Sequence, residues 1–251
     1  MKKLLIVLAL IPWMTRAQEF KVAKNSGRLE VHLGRVLIEG YNGNEIVFSS
    51  EDGKSSKDER AEGLRAINGL GLEDNTGLGI NVEQTSNSVV VRQLKKVSSP
   101  QIKILVPKGI IVSFQHDSQY GGKVLFKNMD NEIEVSAQYN SVELENITGP
   151  MTIKSIYGHV EANFSSTIKS PISIVSVYGY VDITIPSVIK ANLKMDTSYG
   201  EIFVAPELKF EVNREGSMTK YSDRVQGKLN GGGDLNIDLS SNYGKIYLRK
   251  K

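Results

Sequence analysis

The chain has 251 residues, with 31 Lys and Arg against 28 Asp and Glu, 40% apolar residues, 23 glycines and no cysteine. That balance describes a soluble globular protein of one large or two small domains and excludes disordered and collagen-like chains. The lack of cysteine excludes disulfides, thiolate nucleophiles, zinc-thiolate sites, iron–sulfur clusters and a lipidated cysteine anchor.

The first segment accounts for the apparent basic character. Met1 to Ala17 opens with Lys2 and Lys3, continues through the apolar run Leu4 to Ile11, breaks at Pro12 and ends Thr15-Arg16-Ala17. This is the pattern of a secretory signal peptide, cleaved after Ala17. Eight helical residues span about 12 Å against about 30 Å for a bilayer core, so the run is too short for an anchor. Lys2, Lys3 and Arg16 leave with it and no acid does, so the formal +3 falls to zero. An electroneutral chain exerts no long-range pull on a polyanion, and no nucleic-acid partner is expected. The Lys95-Lys96 pair and the terminal Arg249-Lys250-Lys251 read as solvated ends. With no later run near 18 apolar residues, the mature protein is expected in the periplasm, at the outer surface or outside the cell, without a transmembrane segment.

Residues 18–100 read as an irregular β region: strands over Leu29 to Leu33, Val36 to Ile38, Ile46 to Phe48 and Val89 to Leu94, with a turn at Asn42-Gly43. Between them Glu51 to Gly63 holds five acids and three bases and no apolar period, which predicts a mobile charged loop. The turn-rich segments Leu64 to Ile67 and Asp74 to Ile80 suit a cap over an open sheet end.

Residues 101–251 carry an internal repeat. Tyr120, Tyr139, Tyr157, Tyr178, Tyr199, Tyr221 and Tyr243 recur at about 20-residue intervals, most followed by Gly or Asn. Apolar residues stand six and four positions before five of these tyrosines, as in Ile172 and Ile174, the Tyr221 rung departing with Glu215 and Ser217, and a small side chain stands two before each, as in Ser155, Ser176 and Ser241. This is the period of a strand with one buried face, and each tyrosine shares the parity of the buried positions. Gly or Asn after the tyrosine suits positive φ at a corner, and apolar residues return three and five positions later, as in Val181 and Ile183. Each rung is two short strands that bury their apolar faces only by stacking on further rungs. The expected fold is an all-β, single-domain β-solenoid, with a β-sandwich of hairpins as the alternative.

The Ser-x-Tyr-Gly-x-Val rungs, the Glu62-Gly63-Leu64-Arg65 and Asp74 to Ile80 segments, the leader and the ending Ser240 to Leu248 resemble the bacterial putative-adhesin family. That resemblance covers nearly the whole mature chain. It implies an exported β-solenoid of undefined function and brings no set of binding residues.

Stacking places equivalent side chains in ladders about 4.8 Å apart. The seven tyrosines are expected to form a structural ladder. Tyr180, Phe203 and Tyr247 fall on outward parity and are candidates for contacting a surface glycan or an envelope protein, although their positions do not read as one column. Glu143, Glu161 and Asp182 form an outward acidic column, whose mutual repulsion invites either calcium or neighbouring lysines such as Lys123 and Lys245. His32, His116 and His159 lack metal-ligand spacing, and no nucleophile elbow or phosphate loop is present. No catalytic residue and no obligatory cofactor is therefore expected. The enzyme alternative is a polysaccharide hydrolase or lyase working from carboxylates or bases on adjacent rungs, but the short repeat connections provide no walls for a cleft outside the Glu51 to Gly63 region.

Overall fold

The computed structural model describes residues 18–51, 59–164, 167–213 and 223–251. The predicted signal peptide, residues 52–58 of the charged loop and Tyr221 lie outside the described residues. In chain order the strands are β1 (Glu19–Val22), β2 (Gly27–His32), β3 (Val36–Tyr41), β4 (Ile46–Ser50), β5 (Ile80–Gln84), β6 (Ser88–Gln93) and β7 (Ile102–Pro107). There follow β8 (Ile110–His116), β9 (Lys123–Met129), β10 (Ile133–Ala137), β11 (Ser141–Ile147), β12 (Met151–Ser155), β13 (Val160–Asn163) and β14 (Ile172–Ser176). The last are β15 (Val181–Ile185), β16 (Ala191–Thr197), β17 (Ile202–Val204), β18 (Phe210–Val212), β19 (Asp223–Leu229), β20 (Leu235–Ser241) and β21 (Ile246–Lys250).

Two sheets face each other. Sheet A runs β1-β4-β7-β3-β9-β11-β13-β15-β21-β17, and sheet B runs β18-β19-β16-β20-β14-β12-β10-β8-β2-β6-β5. Each rung gives one strand to each sheet, and the rungs from β6/β7 to β16/β17 stack entirely through parallel ladders. Parallel pairing of this kind makes the fold a β-solenoid and excludes the hairpin sandwich. Alternating residues such as Ile172, Ile174, Val181, Ile183 and Ile185 point inward into one core that runs from Val22 to Leu248.

Spatial order departs from chain order at both ends. The rung β2/β3 sits between β6/β7 and β8/β9, and the rung β20/β21 sits between β14/β15 and β16/β17. The first and last parallel rungs of the chain are thus each held between two others, so neither end of the repeat can peel without breaking ladders on both sides. Antiparallel strands close three sheet ends: β4 with β1 on β7, β5 on β6, and β19 with β18 on β16. A reversed strand does not continue the parallel register, which blunts templated addition of another chain. Among the described residues the fourth end, β17, has no such cover, and it is only three residues long.

The corner after each tyrosine differs from the expectation. Gly158, Gly179, Gly200 and Gly244 are absent from the residues with positive φ. They are required for close approach instead. A Cβ at these positions would lie 1.9 Å from the Asn140 carbonyl oxygen, 2.3 Å from that of Gly158, 1.8 Å from that of Gly244 and 2.1 Å from that of Gly179, respectively. The small inward side chain two before the tyrosine completes the same corner. Ser155 Oγ donates to Asn140 O, Ser176 Oγ to Gly158 O, Ser241 Oγ to Gly179 O and Thr197 Oγ1 to Gly244 O, at 2.8–3.3 Å. All four are fully buried, so these bonds meet the demand that a buried hydroxyl be paired. Asn140, which takes the glycine place in its own rung, fills the corner by donating through Nδ2 to Gly34 O and Gly122 O and by accepting at Oδ1 from His116 Nδ1 at 2.8 Å.

Candidate functional site

The tyrosine row lies along this corner. Tyr139, Tyr157, Tyr178, Tyr243 and Tyr199 stack in that spatial order, with centroids 4.8–5.1 Å apart and planes within 17°. Tyr243 stands between Tyr178 and Tyr199 because β21 is inserted between β15 and β17. The rings were expected on buried parity, yet they are 40–62% exposed, since the corner turns them out of the core. Tyr120 is exposed and precedes the extra Gly122, and the described stack begins at Tyr139.

Next to the corner, the outer face of sheet A is a grid. Two residues after the tyrosine lie Ser141, His159, Tyr180, Lys245 and Glu201, taken across the strands. Four residues after it lie Glu143, Glu161, Asp182, Tyr247 and Phe203, joined in register from β11 to β17. Tyr247 and Phe203 therefore share one column with the three acids, contrary to the expectation that the aromatic residues fall apart. The arithmetic was present in the sequence, since both follow their tyrosine by four. Their direct contact was not, because it needs β21 to pair with β17. The two rings stack at 5.4 Å, Tyr180 meets Tyr247 edge-on at 6.3 Å, and His159 stacks on Tyr180 at 4.6 Å. An aromatic band thus crosses four strands diagonally. Sequence reasoning missed His159 as a member, because a lone histidine between acids carries no aromatic signal by itself.

The charges around the band are paired in place. Lys123 Nζ lies 2.5 Å from Glu143, Lys127 Nζ 2.9 Å from Glu145, and Lys245 Nζ 2.7 Å from Glu201. Arg249 grips Asp182 through two bonds of 2.7 and 2.8 Å and lies over the Tyr247 ring, while Lys245 lies over Phe203. Glu161 accepts from the Tyr180 hydroxyl at 2.5 Å. Burial, then this bond and the Glu161 charge, push the Tyr180 phenol up to about 12, so it remains a donor at any physiological pH. Each carboxylate of the acidic column therefore has a protein partner in the role assigned to a calcium ion. Among the described residues no group of three or more His, Asp or Glu side chains converges on one point as metal ligands.

One chemical alignment stands out: Ser141 Oγ lies 3.2 Å from His159 Nδ1, and His159 Nε2 lies 3.8 Å from Glu161. A serine nucleophile also needs donors aimed at an oxyanion. Here the neighbouring amides are committed to the ladder, Val142 N to His159 O and Val160 N to Tyr180 O. The groove beside the band, lined by Glu143, Glu145, Glu161, Asn163, Asp182 and Arg249, is open to solvent.

Parallel two-strand rungs and a glycine corner define a rung-repeat β-solenoid, here with an exposed aromatic edge on one sheet. The chain belongs to the Toastrack family, DUF4097, whose model matches residues 7–249. A search of curated proteins finds no match. Among solved structures, the chain is similar to a putative cell adhesion protein from Clostridium sporogenes, at 12% identity and a TM-score of 0.47, over 94% of this chain and 100% of the other.

Proposed function

We propose that the protein is an exported, non-catalytic adhesion module that engages a surface glycan or an envelope protein through the outer face of sheet A. The observation that carries this reading is the aromatic band of His159, Tyr180, Tyr247 and Phe203 beside a half-exposed tyrosine row. Tyrosine gives large, rigid, amphipathic contact area at small entropic cost. Cross-strand stacking and ion pairs hold the band in place before any ligand arrives. Export rests on the leader-like Met1 to Ala17, and no helix of the described residues is long and apolar enough to cross a membrane.

A polysaccharide hydrolase or lyase is the second reading, favoured by the Ser141–His159–Glu161 alignment and opposed by the openness of the groove beside it and by amides committed to the ladder. Glycan-array and envelope-protein binding, run beside a polysaccharide degradation screen, separates the two. Saturable binding that weakens at least tenfold in Tyr247→Ala and Tyr180→Ala supports the module. Turnover lost in Ser141→Ala or Glu161→Gln assigns an enzyme, and neither binding nor turnover leaves a purely structural protein.

A further inference from the structure

Apart from the aromatic face, exposed aliphatic side chains cluster near the opposite end of the two sheets, ahead of β5. Leu64, Ile67 and Leu70 are 73, 66 and 85% exposed. Every other leucine or isoleucine among the described residues is buried or half-buried. Leu64 and Ile67 bound a segment ahead of β5 that was expected to cap a sheet end, and Leu70 follows it. The cap is β5 itself, and this segment projects away from it: a Cβ at Gly63, Gly69 or Gly71 would have nothing within 4 Å.

The projection is braced. Ile67 and Glu73 form a β-bridge, Asp74 N donates to Ala66 O at 2.9 Å, and Arg65 pairs with Glu73 at 2.8 Å. Asn68 organises the tip: its Oδ1 accepts from Leu70 N and Leu72 N at 2.9 and 3.0 Å, and its Nδ2 donates to Leu94 O at 3.2 Å. That last bond brings the hairpin beside exposed Lys95, Lys96 and Val97, the last 66% exposed. Neither lysine has an ion-pair partner among the described residues, whereas Glu73 is neutralised by Arg65, leaving Glu62 as the exposed acid of the stem.

A fixed apolar tip with free cations at its side matches the boundary of a bilayer, where isolated aliphatic side chains enter the acyl region and lysines stay among the phosphates. A second copy is a poorer match, because a stable protein interface buries about 800 Å² per partner, far beyond four aliphatic side chains. We infer that the Leu64–Leu72 hairpin is a membrane-contacting finger that inserts Leu70 and its neighbours into an anionic phospholipid surface, with Lys95 and Lys96 on the headgroups.

The chain's one tryptophan is Trp13, ahead of Gln18, and every described strand lies within residues 18–251. In the form that begins at Gln18, Leu70→Trp supplies a single tryptophan at the tip. The probe is vesicles of phosphatidylcholine, alone or with phosphatidylglycerol. The emission is expected to shift to the blue with the mixed vesicles, and the protein to sediment with them. Ile67→Asp with Leu70→Asp should lower partitioning at least tenfold, and Lys95→Glu with Lys96→Glu should remove the preference for phosphatidylglycerol. Melting curves matching the parent show that the variants are folded. No blue shift, or sedimentation indifferent to the aspartates, overturns the inference. Self-association that depends on concentration and vanishes in Leu70→Asp also overturns it, in favour of a second copy.

Discussion

Gly179 stands in mid-column, between the corners of Gly158 and Gly244, and its replacement by alanine tests how the rungs are joined. Alanine would serve if the corner needed only an ordinary φ. The added Cβ, however, would sit 2.3 Å from Gly158 O, 2.7 Å from Gly158 C and 2.9 Å from His159 Cα, all backbone atoms that cannot rotate aside. Real Cβ contacts are essentially never under 3.0 Å, so the two rungs must part by about 1 Å at this corner. Parting stretches the bonds from Ser176 Oγ to Gly158 O, now 3.0 Å, and from Tyr178 N to Ile156 O, now 2.8 Å. Overpacking costs about 1–3 kcal/mol, each lost bond about 1 kcal/mol, and alanine returns about 0.4–1 kcal/mol through the unfolded chain. The net loss is about 3 kcal/mol, which for a chain of this size lowers the melting temperature by about 6–12 °C. The assay is thermal unfolding followed by far-UV circular dichroism, with Gly122→Ala as the control. There the nearest atoms are 3.5 Å away, φ is not positive, and the change should stay within about 0.5 kcal/mol. A Gly179→Ala protein that melts with the parent, or a Gly122→Ala protein that loses as much, would refute the close-approach argument.

Other consequences follow from the same contacts. Ser176→Ala leaves Gly158 O without its hydroxyl donor and should cost about 1 kcal/mol by urea titration, whereas Ser173→Ala on the outward parity of the same strand should cost nothing measurable. Arg28 holds the Glu134 carboxyl below its usual range, chiefly through a direct hydrogen bond, so the pair stabilises the fold above the unfolded carboxylate pKa. That contribution disappears as pH falls through the lowered folded value, and Glu134→Gln should flatten the melting-temperature profile between about pH 5 and pH 3. The Tyr180 phenol, at about 12, ionises after its unfolded counterpart near 10, so its contribution is intact below pH 10 and declines as pH rises from there through 12. Ultraviolet titration should find one late tyrosine that moves earlier in Glu161→Gln. Millimolar calcium should leave the melting temperature unchanged, because Lys123, Tyr180 and Arg249 already serve Glu143, Glu161 and Asp182. A rise of several degrees that Glu161→Gln removes would restore calcium to that column.

Much of the rung was legible because its signals are local. Ile172, Ile174 and Ser176 point inward by alternation alone, and the recurring Tyr-Gly pair is enough by itself to mark the corner. What the glycine does there was not legible, since a residue without a side chain is called for equally by positive φ and by a neighbouring backbone at van der Waals distance. Only the second rung decides which. The same blindness to neighbours hid the aromatic band. Phe203 and Tyr247 are 44 residues apart, and their stacking depends on the last rung entering a gap that the chain left open between β15 and β17. Periodicity reports the pitch of a repeat and carries no information on the order in which identical slots are filled. The order has a physical consequence: with β21 at the end of the column, Arg249 could not reach Asp182, Tyr178 would meet Tyr199, and Asp182 would lose its cation. Inserting the last rung therefore closes the chain end into the ladder and, by the same step, assembles the neutralised aromatic surface on which recognition is proposed to depend.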